Sequence, residues 1–145
     1  MPPARVVLDT NVWISGLLWT GPPHEILRLA EEGQLVVVAS PAIVEEVVEA
    51  LGRPKFGQRL ATLRTSVREL LESLLTVAEV CPSPRVAPVV TADPEDDGIL
   101  ACARATRAQW LVSGDRHLLA VREYRGIRIV SPQAFLVEWR DPKGR

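Results

Sequence analysis

Cysteine is nearly missing from this chain. Its 145 residues hold two, Cys81 and Cys102, and these form no metal-type spacing. Methionine occurs once, and asparagine only at position 11. No apolar run is long enough to span a membrane, and the stretch before Leu8 is too short for a signal peptide. The expectation is a soluble, cytoplasmic protein with no membrane partner. A charge excess of one sign is lacking too: 17 basic residues face 18 acidic ones, for a net charge of -1. That excludes an indiscriminate coat for nucleic acid, so any polyanion must be held by a local patch or a bound metal. What the chain does have is apolar residues, 47% of the total. This is ample for one packed core, and the length predicts a single domain over residues 1–145.

Apolar runs and their punctuation predict alternating strands and helices. Arg5 to Asp9 reads as a buried strand, and Pro22-Pro23 precedes a helix from His24 to Glu32 that Gly33 stops. Leu35 to Ala39 is a second strand, and Ser40-Pro41 starts a helix running to about Leu51. Between Gln58 and Leu75, leucines and Val67 recur at spacings of three and four, which predicts one amphipathic helix. Leu75 to Val80 is the third strand, and proline-rich Pro82 to Val90 is a connection. Asp93 to Asp97 opens a helix over Gly98 to Arg107, followed by a strand at Trp110 to Val112 and a short helix through Leu119. A last strand, Ile127 to Val130, leads to a closing helix through Trp139. Such alternation predicts a three-layer α/β/α sandwich around a parallel sheet.

In that architecture the carboxyl ends of strands and the amino ends of the following helices share one rim. Asp9 ends the first strand, Glu46 sits in the helix begun by Ser40, Asp96 opens a later helix beside Asp93 and Asp97, and Asp115 follows a strand. Each acid alone also suits a helix cap or a solvated face. Together, four elements aim carboxylates at one rim, where mutual repulsion calls for a cation. Oxygen donors without a histidine or cysteine cluster point to Mg2+ or Mn2+ rather than zinc. The chemistry implied is phosphodiester hydrolysis by an activated water.

Four segments carry a resemblance: Val7-Leu8-Asp9-Thr10-Asn11-Val12, Ser40-Pro41-Ala42-Ile43-Val44-Glu45-Glu46-Val47, Asp93 to Ala103, and Leu111 to Leu119. In this order and spacing they resemble the PIN domain family of metal-dependent ribonucleases, many of which are toxins of toxin-antitoxin pairs. The resemblance implies an acidic tetrad at Asp9, Glu46, Asp96 and Asp115, binding metal directly or through water. It implies supporting roles for Asn11 and Ser113, a capping role for Ser40, and an additional acid at Asp93. Glu46 is preferred to Glu45 because it keeps the family's distance from Ser40, and Asp96 to Asp97 because Ile99, Leu100, Ala101 and Ala103 then follow in the family's pattern. Where the family often has threonine, this chain has Ser113. The resemblance also implies a homodimer and allows an antitoxin partner that blocks the acidic site.

From Ala50 to Arg68 there is no acid, while Arg53, Lys55, Arg59, Arg64 and Arg68 add positive charge. This segment is either a phosphate-holding surface or an ordinary solvated helix face. Arg116 and His117, beside Asp115, are further candidates to touch phosphate, with a surface role for His117 preferred over that of a ligand. Trp13 and Trp19 follow the first acid, with core packing preferred over stacking a base or meeting a partner. The function expected is a single-strand-directed endoribonuclease. The alternatives are a catalytically silent PIN-like module that binds RNA or protein, and a phosphotransferase with an Asp9 nucleophile. The second is disfavoured because Asn11 stands where such a scheme usually needs aspartate.

Overall fold

The computed structural model describes residues 3–81 and 94–140, with side chains from residue 98 onward in the second segment. Along the chain the elements are β1 (Ala4–Leu8), α1 (Thr10–Leu18), α2 (Pro22–Glu31), β2 (Leu35–Ala39), α3 (Pro41–Leu51), a 3-10 turn (Pro54–Phe56), α4 (Gly57–Thr62), α5 (Val67–Val77), β3 (Ala78–Val80), α6 (Pro94–Ala105), β4 (Trp110–Val112), α7 (Arg116–Val121), β5 (Glu123–Tyr124), β6 (Ile127–Val130) and α8 (Pro132–Arg140). The expected connection from Pro82 to Val90 and the acid Asp93 lie outside the described residues.

Val6, Val7 and Leu8 are buried in succession, as are Val37 to Ala39 and Trp110 to Val112. Successive side chains of a strand point to opposite faces, so unbroken burial requires helices over both. The six strands form one sheet in the order β3-β2-β1-β4-β6-β5. Every neighbouring pair is parallel except β5 with β6. The α/β/α sandwich expected from the sequence is therefore present, with one antiparallel strand added at its edge. That strand arises from a two-residue turn in which Arg125 and Gly126 take φ of 49° and 84°. Both signs match the turn that a right-twisted hairpin favours, yet arginine at the first position announces nothing in the sequence. No helix among the described residues is long and apolar enough to cross a membrane.

The single helix expected from Gln58 to Leu75 is two. Arg64 adopts a left-handed φ of 54°, and the N–H groups of Arg64 and Thr65 close α4 onto the carbonyls of Ala61 and Leu60, each at 3.1 Å. A new helix then starts at Ser66, whose hydroxyl accepts the Glu69 N–H at 3.2 Å while the Thr65 hydroxyl donates to the Glu69 carboxylate at 2.9 Å. The leucine register continues across the break, which hides it: Leu70 and Leu74 are buried, but Leu63 is exposed. Because α5 runs on through Val77, the third strand begins at Ala78 rather than Leu75.

The segment holding both early tryptophans is helix α1. Trp13 is wholly buried, in line with core packing, but Trp19 caps the helix C-terminus and is 43% exposed. Helix α1 lies so close to α2 that a Cβ at Gly16 would sit 3.0 Å from the Pro23 carbonyl oxygen.

Candidate metal and active site

β1 is where the sheet's direction of growth reverses, with β2 and β3 on one side and β4, β6 and β5 on the other. Parallel sheets open a crevice at such a point, beyond the carboxyl ends of the strands. Leu8 and Val112 are register partners across β1 and β4, so the next residues, Asp9 and Ser113, leave the sheet side by side. Their backbones are tied down by the Asp9 N–H on the Val112 carbonyl at 3.1 Å and the Ser113 N–H on the Val130 carbonyl at 3.0 Å.

The Asp9 side chain has both oxygens engaged. Oδ1 accepts the Val12 N–H at 2.9 Å, capping α1, and Oδ2 accepts the Ser113 hydroxyl. The Ser113 oxygen in turn accepts the Asp115 N–H at 2.9 Å. Asp115 caps α7, its Oδ1 taking the His117 N–H at 2.7 Å. One hydroxyl thus links the two acids. Burial pushes the Asp9 carboxyl above its usual range; the Ser113 and Val12 donors oppose that rise, and the negative Asp115 adds to it.

Glu46 arrives from the other side of β1. The pairing of Val7 with Val38 brings the end of β2 to the same rim, where Ser40 caps α3 by accepting the Ile43 N–H at 3.2 Å. One turn further on, Glu46 Oε2 accepts the Thr10 hydroxyl at 2.7 Å. Glu46 is thereby held beside Asp9 through Thr10; Glu45 and Glu46 are both exposed, and only Glu46 has this bond. This role of Thr10 was not foreseen from the sequence. The available signal was a hydroxyl adjacent to the first acid, but the contact depends on how α1 and α3 pack.

Asp96 and Asp97 lie in the first turn of α6, and their side chains are outside the described set. The far end of α6 is anchored near the start of β1, where Arg5 Nε donates to the Thr106 carbonyl at 2.8 Å. A helix of 12 residues is about 18 Å long. Its first turn therefore lies toward the opposite rim, the one that holds Asp9. Along α6, burial pushes the Cys102 thiol up to about 11, against the Ser40 hydroxyl.

Other expected residues are placed as follows. Asn11 is exposed in the first turn of α1, and its side chain has no hydrogen-bond partner among the described residues. Arg116 is exposed at the start of α7 beside Asp115. Arg53, Lys55 and Arg59 are not brought to the acids. They lie around the other end of α1, where Arg59 Nε donates to the Leu18 carbonyl at 2.8 Å. Among the described residues no three histidine, cysteine, aspartate or glutamate side chains surround one point. The donor chemistry nevertheless suits a hard divalent ion. A desolvated carboxylate with a second acid beside it, and only oxygen donors, is the environment that Mg2+ or Mn2+ neutralises.

A family model for the PIN domain matches residues 5–117, from β1 into α7. The chain belongs to the PIN domain family. All four acids, Asp9, Glu46, Asp96 and Asp115, fall within the matched span. Among solved structures the fold is similar to the PIN domain endonuclease Utp24, at 21% identity over 90% of this chain and 86% of that one, with a TM-score of 0.54. It is similar to VapBC2 from Rickettsia felis bound to a promoter DNA fragment, at 14% identity over 86% and 96% of the two chains, with a TM-score of 0.58. A third is the sarcin-ricin loop cleaving toxin VapC20 of Mycobacterium tuberculosis, at 17% identity over 85% and 98%, with a TM-score of 0.53. At these identities the likeness is one of PIN fold. A search of the curated proteins gives no significant match.

Proposed function

We infer that this PIN domain is an endoribonuclease that hydrolyses single-stranded RNA with Mg2+ or Mn2+, and that it acts as the toxin of a toxin-antitoxin pair. The observation that carries the reading is the Ser113 hydroxyl joined to both Asp9 and Asp115 at the point where the sheet reverses. Asp9, Glu46, Asp96 and Asp115 would hold the ion. When bound, such an ion lowers the pKa of water and neutralises charge on the phosphate and the leaving oxygen. The chain's own groups do the positioning. Ser113 fixes the Asp9 carboxylate, Thr10 fixes Glu46, and Ser40 sets the start of the helix that carries Glu46. The free amide of Asn11 is available to a phosphate oxygen, as is the Arg116 guanidinium. The toxin reading is supported by the VapBC2 and VapC20 folds and carries with it a cognate antitoxin, a homodimer and a cytoplasmic setting. In this reading residues 1–145 act as one domain.

The test is cleavage of mixed RNA with and without Mn2+, beside Asp9→Asn and Asp96→Asn. Manganese-dependent cleavage lost in both variants is the expected result. Cleavage that survives chelation, or equal cleavage by both variants, sinks the metal mechanism. Tight metal-independent binding without cleavage supports the silent binding module instead.

A further inference from the structure

We propose that the outer end of α1 and the turn before α4 form a second RNA-contact site, which stacks an unpaired base on Trp19 and holds the adjoining phosphates with Arg53 and Lys55. The inference deepens the ribonuclease reading by assigning the path of the strand beyond the acids. Trp19 is 43% exposed although it ends a core helix. Its ring is braced, with Phe56 edge-on at a centroid distance of 6.1 Å and the Arg59 guanidinium over it at 5.5 Å. Arg59 is fixed there by its bond to the Leu18 carbonyl, and Lys55 lies over the Phe56 ring at 5.1 Å.

A braced, half-open aromatic with one guanidinium over it and a lysine on the neighbouring ring is chemistry that binds single strands, because every base has a π-face and every linkage a negative charge. Charge favours that occupant over an acid-bearing protein surface of mixed sign. No acid occurs between Ala50 and Arg68. Arg53 and Lys55, like Arg59 and Arg64 in the same segment, have no ion-pair partner among the described residues, so their charge is not neutralised by neighbouring acids.

The two sites are joined by one helix face. Asn11 and Ser15 share one stripe of α1, and Trp19, the C-cap whose N–H bonds the Ser15 carbonyl at 2.9 Å, follows them, with Asn11 and Trp19 exposed and Ser15 half-buried. That stripe leads from beside Asp9 to the patch over roughly 13 Å, the length of a nine-residue helix. A strand with its scissile linkage at the acids can therefore follow α1 outward and reach the ring.

The test is fluorescence anisotropy in chelator, where nothing turns over, with labelled oligouridines of about four and about sixteen nucleotides. The longer oligomer should bind the wild type more tightly. Trp19→Ala should weaken that binding by fivefold to a hundredfold, about what loss of one stacked base costs. The double variant Arg53→Glu with Lys55→Glu, at two exposed positions that leave the fold intact, should lower the slope of log affinity against log salt by about 1.4. A wild type that binds neither oligomer or binds both equally, or a charge-reversed variant with unchanged affinity and slope, overturns the proposal and makes the patch a protein-facing surface. Binding that follows these expectations in a protein that cuts no RNA sinks the nuclease reading alone, so the two failures are distinguishable.

Discussion

Replacing Ser113 by alanine removes one oxygen that makes two contacts, a donation to buried Asp9 Oδ2 and an acceptance from the Asp115 N–H at 2.9 Å. A hydrogen bond to a charged group contributes about 1.5–3 kcal/mol, and an ordinary one about 0.5–1.5 kcal/mol. The Asp115 N–H is only partly buried and recruits water once the hydroxyl is gone, so the smaller figure belongs at the low end. Above the native Asp9 pKa and without metal, Ser113→Ala should therefore cost about 2–4 kcal/mol. With an unfolding entropy of about 0.3 kcal/mol per kelvin for a chain of this length, that is a fall of about 7–13 °C in Tm. A small void also contributes, because Ser113 is wholly buried. A double-mutant cycle with Asp9→Asn separates the two causes. Void and lost serine are common to both backgrounds, while the charged acceptor is present in only one. Urea unfolding of the four proteins in chelator should show a coupling of at least about 1 kcal/mol. Strict additivity, or a total cost below about 0.5 kcal/mol, would refute the claim that this hydroxyl holds the Asp9 charge.

The raised Asp9 pKa sets a sign for pH dependence. The native state holds this proton more tightly than the unfolded chain does, so metal-free stability falls as pH rises from the ordinary value of 3.8 through the native pKa, and is flat above it. Urea midpoints in chelator should accordingly show Asp9→Asn gaining on the wild type across that window, and a difference that does not vary with pH argues against the burial effect. Thr10→Val removes the tether on exposed Glu46 while keeping the side chain's shape. It should change Tm by little more than a degree or two in chelator, yet weaken Mn2+ binding about tenfold, as loss of a group that orients a ligand does. Calorimetric titration reads this directly, and an unchanged affinity removes Thr10 from the site.

How far the sequence disclosed the site depended on whether an element's end or its packing decided the placement. Asp9, Ser113 and Asp115 were legible because a polar residue closing a short apolar run must emerge at the strand's carboxyl rim, and β1 and β4 are neighbours in register there. The alternation of elements likewise carried the sandwich, since unbroken runs such as Val36 to Ala39 suit only a covered sheet. Thr10 was not legible, because its contact with Glu46 depends on the distance between two helices. The break between α4 and α5 was written in Ser66 and Glu69 but masked by leucines that keep one register on both sides. Nor was β5 visible, being two residues long and entered through an arginine at positive φ. The basic run is plain in the sequence as charge, but its distance from the acids follows from the length of α1.

The two outer strands are short, three residues in β3 and two in β5, and they set what this sheet can do with a copy of itself. An edge invites another chain by presenting a ladder of unpaired backbone groups, and these edges offer only a rung or two. One is further marked by Glu79, paired with Arg5 at 2.8 Å, and the other by Glu123 beside the tight Arg125-Gly126 turn. Assembly by adding sheet to sheet would gain few hydrogen bonds and meet charge at both borders. Among the described residues, a homodimer of this PIN domain would therefore find more to bury on helix faces than along the borders of the sheet.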